Sequence, residues 1–167
     1  MEFRAAVLAD LPRIRQMYRR IVADMDQKGI GIWNEYYPFA YFEEDIQKGE
    51  LFLLLEGEQL CGAFVLTGQA DGQSAVEWAD PAAKALYLDR LGIDPGCSGQ
   101  GIGGQALVFA MDLAREKGAA WLRLFVVDRN RPARRLYRKT GFSQVPGVFE
   151  EDGGGCILHE YGYEIRL

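Results

Sequence analysis

"LGIDPGCSGQGIGGQAL", residues 91–107, sets six glycines and one proline between an apolar run and a stretch of helical periodicity. Glycine inside either neighbour weakens it by about 0.5–1 kcal/mol per site. Such density is understandable only where the bare main chain is itself needed. The stretch therefore reads as a strand-to-helix turn whose backbone lies against something.

The flanking segments follow from their periodicity. Upstream, "KALYLDRLGI" is a strand; downstream, Ile102, Ala106, Phe109 and Leu113 draw a helix over residues 101–117 that Gly118 stops. "AWLRLFVV" is a buried strand, and "RPARRLYRKT" a short helix with Pro132 in its first turn and Gly141 beyond its end. "CILHEYGYEIRL" alternates as a closing strand. Toward the N-terminus, Leu11, Ile14, Tyr18, Ile21 and Met25 form one stripe of a helix with Asp10 as its N-cap and Gly29 as its stop. A Gly- and aromatic-rich loop with Pro38 precedes a second helix near residues 39–48. "LFLLLE" and "LCGAFVL", joined by "GEQ", predict a hairpin, and a short strand is expected at Val76–Trp78. Helices first, then strands, then alternating β and α predict a mixed sheet with helices on both faces.

Composition sets the outer limits. The 167 residues, 49% hydrophobic and 12% aromatic, suit one domain, 1–167, with a packed core. No charged and apolar leader pattern opens the chain, and no run approaches the ~20 apolar residues that span a bilayer, so a cytoplasmic protein without a membrane partner is expected. Cys61, Cys97 and Cys156 are odd in number and scattered, and read as free thiols. No metal site is expected. A net charge of −5 repels polyanions and argues against a nucleic-acid partner, leaving cationic small molecules open. A monomer or a homodimer is expected.

Three anion-binding designs place a glycine turn before a helix, because the free N–H groups and dipole of a helix start favour phosphate. A nucleotide P-loop needs Lys and then Ser or Thr after its last glycine; Gly96 and Gly101 are followed by Ile102 and Gly103, which excludes it. Gly99, Gly101 and Gly104 spell a dinucleotide fingerprint, with Asp128 near the ribose position. Only residues 129–167 follow Asp128, too few for the remaining βα units, and the upstream strands are joined by a hairpin. The third design fits the whole region. Ser98-Gly99-Gln100-Gly101-Ile102-Gly103 at a helix start, followed by Asn130, Ala133, Tyr137, Gly141 and Phe142, resembles the GNAT superfamily of acyl-CoA-dependent N-acetyltransferases. Ser98 departs from the family's Gln or Arg, which bears on cofactor affinity.

The resemblance implies an α/β (α+β) fold with a mixed, mostly antiparallel sheet splayed at two parallel strands. It implies acetyl-CoA as cofactor, with its pyrophosphate on the N–H groups of Gly99, Gln100, Gly101, Ile102, Gly103 and Gly104. Its arm would pair with Leu91, Gly92 and Ile93, and Asn130 would hold that arm through its amide. Tyr137 would protonate the leaving thiolate. Asn130 also suits a helix cap, and both roles are compatible. Six basic residues crowd positions 129–139; such a run is ordinarily a solvated face, with Arg134 the first candidate for the 3′-phosphate.

Thioester aminolysis needs a neutral amine, a stabilised oxyanion and a protonated thiolate. An alkylamine of pKa ~10 arrives protonated, so a carboxylate must accept that proton. Asp89 and Glu77 are the strand carboxylates available, each with a structural alternative. Trp33, Tyr37, Trp78 and Tyr161 are candidates to line the pocket of a small primary amine, against the commoner role of core packing. His159, the sole histidine, reads as structural. The expected activity is transfer of acetyl from acetyl-CoA to a primary amine through a ternary complex. The rival reading is a catalytically silent acyl-CoA-binding sensor or assembly module.

Overall fold

The computed structural model describes all residues, Met1–Leu167. Its strands are β1 (Glu2–Ala5), β2 (Leu51–Glu56), β3 (Gln59–Thr67), β4 (Ala85–Ile93), β5 (Trp121–Val127), β6 (Ser143–Gln144), β7 (Phe149–Asp152) and β8 (Ile157–Arg166). The helices are α1 (Leu11–Gln27), α2 (Phe42–Gln47), α3 (Ile102–Glu116) and α4 (Arg131–Lys139). The sheet runs β1-β2-β3-β4-β5-β8-β6, with β7 also paired to β8. The pairs β1–β2, β2–β3, β5–β8, β6–β8 and β7–β8 are antiparallel, and β4–β5 is parallel. This is the mixed, mostly antiparallel sheet expected. Contacts divide the chain into two compact units, Met1–Leu66 with Arg90–Phe109 and Thr67–Asp89 with Ala110–Leu167.

In the first unit the continuous apolar run of β2 is buried on both faces, as such a run requires. Leu51, Leu53 and Leu55 pack with Ile14, Met17, Tyr18 and Ile21 of α1 and with Phe42 and Ile46 of α2. The alternate residue Phe52 stacks on Phe64 at 5.5 Å and meets Phe109 edge-on, while Phe3 of β1 stacks on Phe109 at 4.4 Å. The β2–β3 register shifts between Leu54↔Gly62 and Leu55↔Leu60, leaving Cys61 as an extra residue. Its carbonyl accepts the Asp94 N–H at 2.8 Å, which ties the bulge to the residue that opens the glycine loop.

Gly62 sits where no side chain fits. A Cβ there would lie 2.8 Å from the Gly92 carbonyl oxygen and 2.9 Å from Ile93 Cδ1. Because one obstacle is backbone, Gly62→Ala is expected to cost about 1–3 kcal/mol, read as a lower urea midpoint at unchanged m-value. An unchanged midpoint would mean that the strands adjust freely.

The second unit builds a smaller core from Val76, Trp78, Tyr87 and Val145, with Phe125 packed against it. Beneath Trp78, Arg123 and Glu164 form a buried ion pair, Nε to Oε2 at 3.2 Å. β8 pairs with β5 along its length, Trp121↔Arg166 to Val127↔Glu160, and with β7 from Phe149↔Glu160 to Asp152↔Ile157.

Several local expectations are corrected. Asp10 does not cap α1; its carboxylate accepts the Val7 N–H at 2.9 Å and is gripped by both terminal nitrogens of Arg4 at 2.7 and 2.8 Å. A guanidinium fork and an N–H in the preceding turn outcompete the helix start. The second helix begins at Phe42, because the residues before it are taken up in turns in which the Ala40 and Tyr41 N–H groups donate to the Tyr36 and Pro38 carbonyls. The strand expected at Val76–Trp78 is a single bridge, Val76↔Gly147. All three cysteines are free, with Cys61 and Cys97 buried. Burial beside Cys61 pushes the Cys97 thiol up to about 12, as an inert buried thiol requires. No helix is long and apolar enough to cross a membrane.

Candidate active site

The glycine loop is the turn between β4 and α3. Asp94 opens it: its Oδ1 accepts the Gly96 N–H at 2.8 Å, closing the short turn Pro95–Cys97, and Arg20 of α1 binds its Oδ2 through Nε at 3.0 Å. Gly99 and Gly101 stand at φ +80° and +75°, the left-handed region that L side chains resist. A Cβ at Gly99, Gly101 or Gly104 would meet nothing within 4 Å. Gly99 and Gly101 are required by backbone conformation, and all three glycines face open space. Ile102, Gly103 and Gly104 begin α3, whose first N–H groups have no acceptor within the helix. Ser98 and Gln100 are exposed beside them. Such a cradle fits a phosphate ester, since donors and dipole point at an accessible surface free of side-chain bulk.

The pairing of β4 with β5 runs from Ala85↔Trp121 to Leu88↔Leu124, although β4 continues to Ile93 and β5 to Val127. Two residues past the last pair, Arg90 takes φ +51°, the sole non-glycine residue with positive φ. Surrounding bonds hold this strained residue. Its guanidinium meets both carboxylate oxygens of buried Asp45 at 2.9 and 3.0 Å, and its carbonyl accepts the Tyr18 hydroxyl at 2.5 Å. Tyr41 and Tyr37 stack beside the guanidinium, 5.3 and 6.0 Å from ring centre to Cζ. A left-handed residue inside a strand re-aims the chain, as bulges beside active sites do. Leu91, Gly92 and Ile93 follow this kink. Gly92 is demanded by packing as well: a Cβ would come 2.9 Å from Ile21 Cδ1 and 3.0 Å from the Tyr18 ring. Trp33 packs on Tyr18 at 5.5 Å between ring centres.

In the second unit, Asn130 accepts the Ala133 N–H at 3.2 Å and caps α4. Tyr137 lies buried on α4 against Phe142 and Tyr163, at 6.0 and 6.2 Å between ring centres. Burial, and then the negative charge of Asp89, raise its phenol above the ordinary range. It therefore stays protonated throughout neutral and mildly alkaline solution. Arg134 is engaged by the protein itself: it donates to the Asp128 carbonyl at 2.8 Å, contacts the Tyr163 hydroxyl at 3.4 Å and covers the Tyr161 ring at 4.8 Å. Glu77 is exposed, its N–H donating to the Pro146 carbonyl. Trp78 is buried with Tyr87 and Phe125 edge-on to it.

One carboxylate escaped the sequence reading. Glu160 of β8 is half-buried, and burial, followed by the charge and hydrogen bond of Glu151, pushes it up to about 8; Asp89 and Asp71 add to the repulsion. Glu160 and Glu151 share a sheet face because Phe149 pairs with Glu160 and Glu151 with Leu158. The alternation of β8 does not single out Glu160, and only the pairing of β7 brings Glu151 against it. Asp89 is close enough to raise both Glu160 and Tyr137.

The acetyltransferase (GNAT) family model matches residues 14–142. The uncharacterized N-acetyltransferase YhfO of Bacillus subtilis is 30% identical over 125 residues, 70% of this chain and 82% of that protein. The thialysine N-epsilon-acetyltransferase of Bos taurus is 33% identical over 75 residues, 45% of this chain and 42% of that enzyme. This chain spans less than half the length of most of the curated relatives it matches. In fold, a GNAT-family acetyltransferase from Streptococcus agalactiae matches with a TM-score of 0.85 at 18% identity, covering 99% of this chain and 95% of that one. An acetyltransferase from Salmonella typhimurium, solved with its cofactor acetyl-CoA, matches with a TM-score of 0.66 at 19% identity, covering 99% and 93%. By sequence motif, by strand order and by these likenesses, the chain belongs to the GNAT family of acetyltransferases.

Proposed function

We propose that this chain, acting as a single catalytic domain, transfers an acetyl group from acetyl-CoA to the primary amine of a small molecule, by direct attack within a ternary complex. The observation that carries the reading is the run of β4 beyond its last β5 partner, kinked at Arg90 and leading into a glycine turn that must be glycine at Gly99 and Gly101. Bound acetyl-CoA supplies the activated acetyl thioester. The N–H groups of residues 99–104 carry its pyrophosphate, and the main chain of Leu91, Gly92 and Ile93 pairs with its arm and stabilises negative charge on the acyl oxygen. Tyr137, held protonated, gives its proton to the departing sulfur. Glu160, in the ionised fraction that grows as pH approaches 8, accepts the proton of the incoming ammonium, with Asp89 beside it in charge. A carboxyl raised toward neutrality is a better match to that task than one of ordinary acidity. The small-molecule acceptor draws support from relatives named for thialysine, mycothiol and streptothricin.

Calorimetry with acetyl-CoA, run beside thiol release over a panel of small amines, a polyamine and an N-terminal peptide, tests the proposal. Saturable binding with release confined to small amines is expected. Absence of binding overturns it, and binding without turnover on any amine converts it to a silent acyl-CoA module.

Glu160 carries its own prediction. The folded chain holds this proton up to about pH 8, whereas the unfolded chain releases it near 4.5. The folded state thus binds more protons across that window, and stability falls as pH rises through it. Glu160→Gln should flatten the decline of Tm between pH 5 and 8. It should also lower kcat/KM by about 10²-fold and remove its acidic limb. An unaltered pH–rate profile would exclude Glu160 as the base.

A further inference from the structure

Arg90 holds a conformation that its own side chain resists. At φ +51° the Cβ crowds the following carbonyl, and a residue other than glycine, left to itself, relaxes out of this region. Something outside the strand must hold it. Asp45 of α2 meets the Arg90 guanidinium with both carboxylate oxygens at 2.9 and 3.0 Å, and the two side chains are only 7% and 11% exposed. The helix that carries Asp45 is a fixed base, because Phe42 and Ile46 are buried in the core with Leu51, Leu53 and Leu55 of β2. From α1 the Tyr18 hydroxyl donates to the Arg90 carbonyl, and Tyr37 and Tyr41 flank the guanidinium. The residue is thus gripped at its head and at its main chain.

An ion pair this enclosed spends its charges on itself, and glycine would make the same bend unaided. What the pair can govern is the main chain that follows. The torsion at residue 90 sets where the N–H and C=O groups of Leu91, Gly92 and Ile93 point. Packing allows little play there, since even a Cβ on Gly92 would lie 3.0 Å from the Tyr18 ring. Backbone strain of this kind collects where groups must be aimed in advance. We infer that Asp45 is a positioning residue for acyl transfer: through the Arg90 guanidinium it locks the kink of β4, so that the main chain of residues 91–93 stays aimed at the thioester. Asp45 itself touches no reacting atom. This role rests on the acyl-transfer function proposed above.

Two double variants that differ by one methyl group isolate the torsion, Arg90→Gly/Asp45→Asn and Arg90→Ala/Asp45→Asn. Both lose the ion pair and the ring contacts, but only glycine takes a positive φ without strain. kcat and the Kd for acetyl-CoA are measured with the amine that wild type uses best, under conditions where urea curves show each variant folded. The glycine variant should turn over at least ~10-fold faster than the alanine variant, as befits a re-aimed oxyanion donor, with Kd values within about threefold because residues 99–104 are untouched. Asp45→Asn alone should lose at least ~10-fold in kcat, and adding Arg90→Gly should recover severalfold of it. That recovery decides the matter if the alanine variant fails to fold. A pair serving stability alone would move the urea midpoints and leave kcat of the folded variants equal. With an active wild type, equal kcat in the two double variants, no loss in Asp45→Asn, or a loss that glycine does not relieve would overturn the role. A wild type that acetylates no amine would overturn the acyl-transfer function itself, and this role with it.

Discussion

Tyr137→Phe is expected to lower kcat by about 10²- to 10³-fold while leaving the Kd for acetyl-CoA within about twofold, the size of effect that a positioned general acid supplies. The phenyl ring keeps the packing against Phe142 and Tyr163, so the fold should hold and only the proton is lost. Burial and the charge of Asp89 raise this phenol, which makes it a reluctant donor until negative charge grows on the sulfur. Two consequences separate it from a residue of mere structure. The alkaline limb of the wild-type rate profile should not fall at the ordinary tyrosine pKa of ~10, because Tyr137 is still protonated there. Thioesters with more acidic leaving thiols should also regain part of the lost rate in Tyr137→Phe, since they need less proton donation. Equal losses with all thioesters, or no loss, would remove Tyr137 as the acid.

The largest effect on stability is expected at the buried ion pair of the second unit. Arg123 and Glu164 are only 2% and 4% exposed, so neither charge can fall back on water when its partner is removed. Glu164→Ala leaves Arg123 with the Asp80 carbonyl at 2.6 Å and the Trp78 ring at 4.7 Å as its remaining partners, and strips the Ala79 N–H of its acceptor. A loss of about 3–5 kcal/mol follows, measured by urea unfolding. Arg123→Met with Glu164→Leu should recover part of this, because two opposed desolvation costs vanish together. Recovery stays incomplete: the Asp80 carbonyl and Ala79 N–H still lose partners. A single substitution costing under about 1 kcal/mol would mean that water reaches the pair, as it does at surface ion pairs.

What could be read directly from the chain was whatever rests on local chemistry. The stripe Ile14, Tyr18, Ile21 does face a core, because a 3.6-residue period can bury only one side of a helix. The runs in β2 and β3 did pair as a hairpin, and Asn130 did cap α4. Gly99 and Gly101 announced a backbone conformation closed to other residues, and the motif around them was enough to identify the family.

Tertiary structure decided the elements that lack a pattern of their own. The tetrapeptides β1 and β7 are too short and too polar to read as strands, and exist because β2 and β8 offer them an edge. Arg90 violates the rule that positive φ belongs to glycine, and is held there by Asp45, forty-five positions away, and by Tyr18, seventy-two away. Glu160 carries no mark of its own in the sequence; folding buries it and brings Glu151 and Asp89 beside it. Glycine turns and amphipathic stripes are properties of neighbours along the chain and survive without the fold. A perturbed carboxyl, a strained strand residue or a buried ion pair is a property of neighbours in space, and takes its energy from groups that only folding brings near.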